Sequence, residues 1–148
     1  MRYWDDGRPV TVFSADPGRL LREMTINHQA TFVRRRVYER LGGFREDFRY
    51  AMDYELFLRF SLGGARFVEV DRVLANMRYR GVSHRHWLRA YAEVRRAQIE
   101  HGLGASRAWR LWFFHVTRGF VRSLLLRLRL GALVRLYRRR FAVLRKSS

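Results

Sequence analysis

Asp53 is the side chain on which chemistry would turn. It opens the run Asp53-Tyr54-Glu55-Leu56-Phe57-Leu58-Arg59, in which Tyr54, Phe57, Leu58 and Ser61 share roughly one face of a helix and Arg59 sits apart. A carboxylate at that point fits an N-cap, accepting from the backbone N–H groups a helix start leaves unpaired. It equally fits a general base, a positioned carboxylate that takes the proton of an attacking hydroxyl. Residue type alone permits both roles. Upstream, Asn27-His28-Gln29 forms a polar trio just before the apolar run Ala30–Val33. Such a trio can hydrogen-bond a polyol, or it can satisfy the backbone of its own loop.

The elements that must position these groups are read from glycines and periodicity. Gly42 and Gly43 end a helix expected over Arg34–Leu41, because glycine takes the left-handed conformation helix ends often need. A polar loop with Glu46 and Asp47 follows, then the Asp53 helix, which Gly63-Gly64 stop. Before these elements, Met1–Trp4 and Val10–Phe13 flank Asp5-Asp6-Gly7, a hairpin signal that accounts for the two adjacent acids better than a metal pair does. Asp16-Pro17-Gly18 is a turn, with a short helix expected over Leu20–Met24 and a short strand over Ala30–Val33. After the Asp53 helix, Arg66–Val70 alternates as a strand and Val73–Arg80 makes a second extended run. Ser83 then fits an N-cap for a helix from His84 to His101 that buries Trp87, Leu88 and Tyr91 and stops at Gly102.

Composition bounds the function classes. The chain has 148 residues, 48% of them hydrophobic and only two of them proline, enough for one domain with a modest core and unlike a disordered tail. It has no cysteine, which excludes disulfides and thiolate zinc sites and suits a reducing compartment. The N-terminus lacks the apolar core of a signal peptide, so secretion is not expected. No pair of its five histidines has the spacing and neighbouring acid of a metal site.

The formal charge of +18 is unevenly placed. All 13 acids precede Ala105, and from there to Ser148 stand eleven arginines, one lysine and no acid. The longest uncharged run there, Leu111–Thr117, is far short of the roughly 18–20 apolar residues that span a bilayer. Arg107, Arg118, Arg122 and Arg129 share a helical face, while Phe114, Val121, Leu124 and Leu128 lean the other way. Gly119 and Gly131 weaken the helix. Leucines and aromatics opposite arginines suit a helix lying in the interface of an anionic membrane. A helix packed on another part of a larger protein is the competing reading.

A series of separated motifs carries a resemblance. The order Asn27-His28-Gln29-Ala30-Thr31-Phe32-Val33-Arg34-Arg35, Gly42-Gly43-Phe44, Asp53-Tyr54-Glu55-Leu56-Phe57-Leu58-Arg59, then Tyr79-Arg80 and Gly81-Val82-Ser83, resembles the second half of bacterial family-two glycosyltransferases, builders of cell-surface polysaccharide. The resemblance covers about residues 1–100 and leaves the basic tail outside it. It implies an α/β fold, part of a GT-A (Rossmann-like) glycosyltransferase domain followed by a basic amphipathic helical tail. The expected divisions are an acceptor-side half over 1–84, a packing helix over 85–104 and the tail over 105–148.

The implied activity is inverting transfer of a sugar from a nucleotide-sugar to an acceptor hydroxyl in polysaccharide or glycolipid synthesis. Asp53 matches the family's catalytic base, with Met52 where a Glu often stands. Asn27, His28 and Gln29 would line the substrate pocket, and Arg80 and His84 would touch the donor diphosphate. The family's first half, ending in an Asp-x-Asp that holds a divalent Mg or Mn ion, has no counterpart here. Its ligands are therefore not expected in this chain, and the reading is of a truncated or split enzyme. A parallel sheet lacking its first strands would expose an apolar edge and lower solubility. The implied location is cytoplasmic, peripheral at the inner face of the membrane. The rivals are a basic nucleic-acid-binding protein, drawn from the charge, and a non-catalytic scaffold at the membrane.

Overall fold

The computed structural model describes residues 2–5, 8–70, 72–78, 86–128 and 145–146. Four α-helices of 7, 11, 14 and 23 residues stand against four strands of 4, 7, 3 and 2. The helices are α1 (Arg35–Leu41), α2 (Met52–Leu62), α3 (Trp87–Glu100) and α4 (Ala105–Arg127). The strands are β1 (Arg2–Asp5), β2 (Arg8–Ser14), β3 (Asn76–Arg78) and β4 (Arg145–Lys146), and two 3-10 turns lie at Pro17–Arg19 and His28–Ala30.

α2 is the centre. Tyr54, Glu55, Leu56, Phe57, Leu58 and Phe60 are all buried, so the middle of the helix is enclosed on every side, wider than the single face its apolar spacing suggested. One side joins Leu20 and Ile26 through Leu56, Phe57 and Phe60, with Val37, Tyr38 and Leu41 of α1 against them. The other joins Phe48, Ala51 and Ala97 of α3 through Tyr54 and Leu58. The Tyr54 hydroxyl donates to the Leu20 carbonyl at 2.8 Å, which secures the 20–27 loop over the helix. Burial pushes the Tyr54 phenol well above its ordinary range.

The expected α/β, Rossmann-like GT-A fold is not what forms. Among the residues whose burial is described, helices and loops build the core. The strands pair in the order β3-β1-β2-β4, with β1/β3 the one parallel contact of three residue pairs. The β1–β2 hairpin is antiparallel, as Asp5-Asp6-Gly7 predicts, and β2 pairs antiparallel with β4. Beyond that three-pair contact the described residues form no parallel sheet whose edge could stand open as expected.

Two expected strands fail for the same physical reason. A strand persists when its N–H and C=O groups find a ladder partner, and neither 30–33 nor 66–70 meets one. The first is preceded by a 3-10 turn at His28–Ala30 and leaves Phe32 88% exposed. The second is anchored by Phe67, 6.5 Å from the Phe57 ring, while Val68 and Val70 face solvent. Of the extended run expected over 73–80, residues 76–78 form β3, and Tyr79 and Arg80 lie outside the described residues. The short helix expected over Leu20–Met24 is replaced by turns following Pro17–Arg19.

α1 and α3 lie within a few residues of their expected places. α3 starts at Trp87, with His86 at its N-cap; Ser83 lies outside the described residues. Trp87 and Tyr91 are half-buried, whereas Leu88 is exposed. α3 and α4 pack together through ring contacts, Trp87 on Phe120 at 5.4 Å and Tyr91 stacked on His115 at 5.3 Å. Gly119 permits this. A Cβ there would sit 2.7 Å from the Trp87 ring, so the glycine expected to weaken the helix is where the neighbouring tryptophan seats.

Candidate functional site

The start of α2 is fixed from a distance. Glu93 of α3 accepts from three successive backbone N–H groups: Arg49 at 3.1 Å, Tyr50 at 2.7 Å and Ala51 at 2.8 Å. A carboxylate on three donors is a strong, charge-assisted anchor. It ties down the loop so that the helix begins at Met52 with Ala51 in the cap position. Asp53 therefore lies inside the first turn and is not the N-cap its spacing suggested. Its Oδ1 accepts from the Tyr54 backbone N–H at 2.8 Å.

The other Asp53 oxygen meets His28. Nδ1 of His28 lies 3.0 Å from Oδ2, with the two side chains 47% and 27% exposed. A carboxylate oxygen can only accept, so Nδ1 donates and Nε2 is the lone-pair nitrogen of the neutral ring. The imidazole is presented by the 3-10 turn at His28–Ala30. That turn is closed by the Ala30 N–H and the Thr31 hydroxyl, which donate to the Asn27 carbonyl at 2.9 and 2.8 Å.

The polar trio thus divides. Asn27 is buried, and its carbonyl anchors the turn. Gln29 is exposed, and His28 alone of the three reaches Asp53. Arg80 and His84 lie outside the described residues.

Two residues on, the same helix carries a different carboxylate. Glu55 is fully buried and takes Arg59 through two hydrogen bonds of 2.9 and 3.0 Å. His101 lies 3.0 Å from the same Oε1, and Arg45 approaches to 3.9 Å. Burial alone would raise this carboxyl, but the bonds from Arg59 and His101 outweigh it and the net shift is downward. Arg59 also donates to the carbonyls of Leu41 and Gly43, the latter at 2.7 Å. Gly42, with φ of +82°, lets the chain turn there, and a Cβ on it would meet the Arg59 guanidinium at 3.1 Å. Arg59 is therefore the clasp between the Gly-Gly turn and α2.

A surface cluster braces the loop between them. Asp47 bonds Arg45 at 2.7 Å and also Arg96 of α3, and Glu100 bonds both arginines. The Arg45 bond and its partners hold the Asp47 carboxyl down to about 2. Both guanidiniums lie over the ring of buried Phe48, at 4.7 and 4.5 Å.

Reading the sequence missed Glu93, Glu55, Arg59 and His101 as parts of this assembly. The Glu55–Arg59 spacing of four was an available signal, since such pairs meet on a helix. Nothing local marks Glu93 or His101, whose partners stand more than 40 residues away.

The arrangement offers a hydroxyl one carboxylate–imidazole pair at the protein surface, on a rigidly held helix start. Among the described residues, no group of three His, Cys, Asp or Glu gathers that could hold a metal ion. Among the described residues, no helix is long and apolar enough to cross a membrane. No family model, curated protein or solved structure matches this chain.

Proposed function

We propose that the chain serves glycosyl transfer on its acceptor side, with the Asp53–His28 pair as general base. A sugar hydroxyl becomes a competent nucleophile when its proton is removed as the new bond forms. In the neutral ring Nε2 of His28 carries the lone pair while Nδ1 donates to Oδ2, and Nε2 is the atom assigned to receive that proton. Asp53 holds the ring and stabilises the imidazolium as it forms. The acceptor oxygen then attacks the anomeric carbon from the face opposite the departing nucleoside diphosphate, which gives inversion.

The observation that carries this reading is the convergence of motifs far apart in sequence. His28 touches Asp53, and the Gly42-Gly43 turn is clasped by Arg59 of the same helix. The reading rests on this site and on the motif order, and it makes no use of a Rossmann-like fold.

The test is an Asp53→Asn exchange in the gene of the source organism, with surface polysaccharide and glycolipid profiled at matched protein level. Loss of one glycan product supports the reading. An unchanged profile overturns it.

A further inference from the structure

Among the described residues, α4 is held mainly along one side. Ala108, His115 and Val116 are buried, Gly119 receives Trp87, and His115 Nε2 lies 3.1 Å from the Arg22 carbonyl. Away from these contacts Trp109, Phe113, Leu124 and Leu128 are 43–59% exposed, and Phe120, at the edge of the α3 contact through Trp87, is 57% exposed. At 100° per residue these five fall within about a third of the helix circumference, so they form one continuous stripe. Apolar surface of this extent and continuity marks an interaction site, whereas scattered exposed leucines do not.

The charge around the stripe selects the partner. α4 contains five arginines and no acid, and Arg107 and Arg110 are exposed beside the stripe. Arg95 of α3 adds a cation 3.8 Å over the ring of Trp109 at one end of it. A partner must therefore be negatively charged at its surface and apolar just beneath. Nucleic acid meets the first requirement but gives Leu124 and Leu128 nothing to enter. A bilayer with anionic headgroups meets both. α4 does not qualify as a spanning helix, which leaves it lying in the plane of the interface.

We propose that α4 docks the protein on an anionic lipid bilayer, with the Trp109–Leu128 stripe inserted at the headgroup–acyl boundary and the arginines at the phosphates. This stands whether or not Asp53 performs chemistry, because no residue of that site takes part.

The test is co-sedimentation of the full chain with vesicles of phosphatidylcholine alone and with about 30% phosphatidylglycerol. Binding is expected to the anionic vesicles, several-fold weaker to neutral ones, and only partly reversed by moderate salt. Phe113→Ser/Leu124→Ser, which leaves the Trp87–Phe120 contact in place, should lower partitioning by at least about tenfold. Arg107→Gln/Arg110→Gln, which leaves the stripe and the α3 contact intact, should lower it by about tenfold or more on anionic vesicles alone. Absence of binding overturns the proposal. So does binding indifferent to both double variants, or binding that salt abolishes and a duplex RNA competes away fully, which would identify phosphate attraction alone.

Discussion

Asp53 and Glu55 stand two residues apart on α2 and meet opposite surroundings. Glu55 is sealed from solvent and held by Arg59 and His101. Asp53 keeps 27% of its side chain exposed and touches one half-exposed imidazole. Successive odd positions on a helix point to nearly opposite sides, so one turn supplies both a lock and a reactive edge. A carboxylate buried and bonded through both oxygens is a structural part. One with a partner that itself opens to solvent can exchange a proton with a ligand.

Glu55→Ala should give the largest stability effect, since removing one partner of a buried pair strands the other's charge. A loss of about 3–5 kcal/mol is expected in urea unfolding. Arg59→Ala should fall in the same range and also release the Gly42-Gly43 turn, visible as faster amide exchange at those glycines.

The α3–α4 contact should rank next. Gly119→Val places side-chain atoms where Trp87 sits and should cost about 1–3 kcal/mol. The loss should appear in Trp fluorescence as increased solvent exposure of Trp87.

Acid should separate the two regions by pH window. Burial lowers the His115 imidazole below its usual 6.5, so the folded state binds fewer protons there than the unfolded chain. Its contribution is present above that value and falls as pH drops through it, and His115→Phe should flatten the pH profile of stability there. Glu55, held down in the folded state, loses its contribution only on further acidification, below its unfolded value of 4.5. Asp53→Asn should produce the smallest stability change, within about 0.5 kcal/mol, because its surroundings are partly solvated.

The hub from Leu41 to Arg59 was legible because its signals are local: a glycine pair that stops a helix, a polar loop, and an acid opening an apolar-periodic run. α1, α2 and α3 follow from the same kind of signal. The contact between His28 and Asp53 was not legible as a distance, although both residues drew notice separately. Glu93 carried no signal, because three N–H groups of residues 49–51 are satisfied from α3. The fold class was misread at Ala30–Val33 and Arg66–Val70. Alternation shows what a strand would bury but not whether a partner strand stands beside it. Gly119 was misread through propensity, where packing against Trp87 decides.

The most direct test of the central claim is a double-mutant cycle on glycan product formed in the source organism, with Asp53→Asn, His28→Ala and the two combined. If the residues work as one base, either single exchange lowers the rate by about 10²–10⁴-fold and the double variant loses little more. Losses that simply multiply, or product formation untouched by Asp53→Asn, would contradict it.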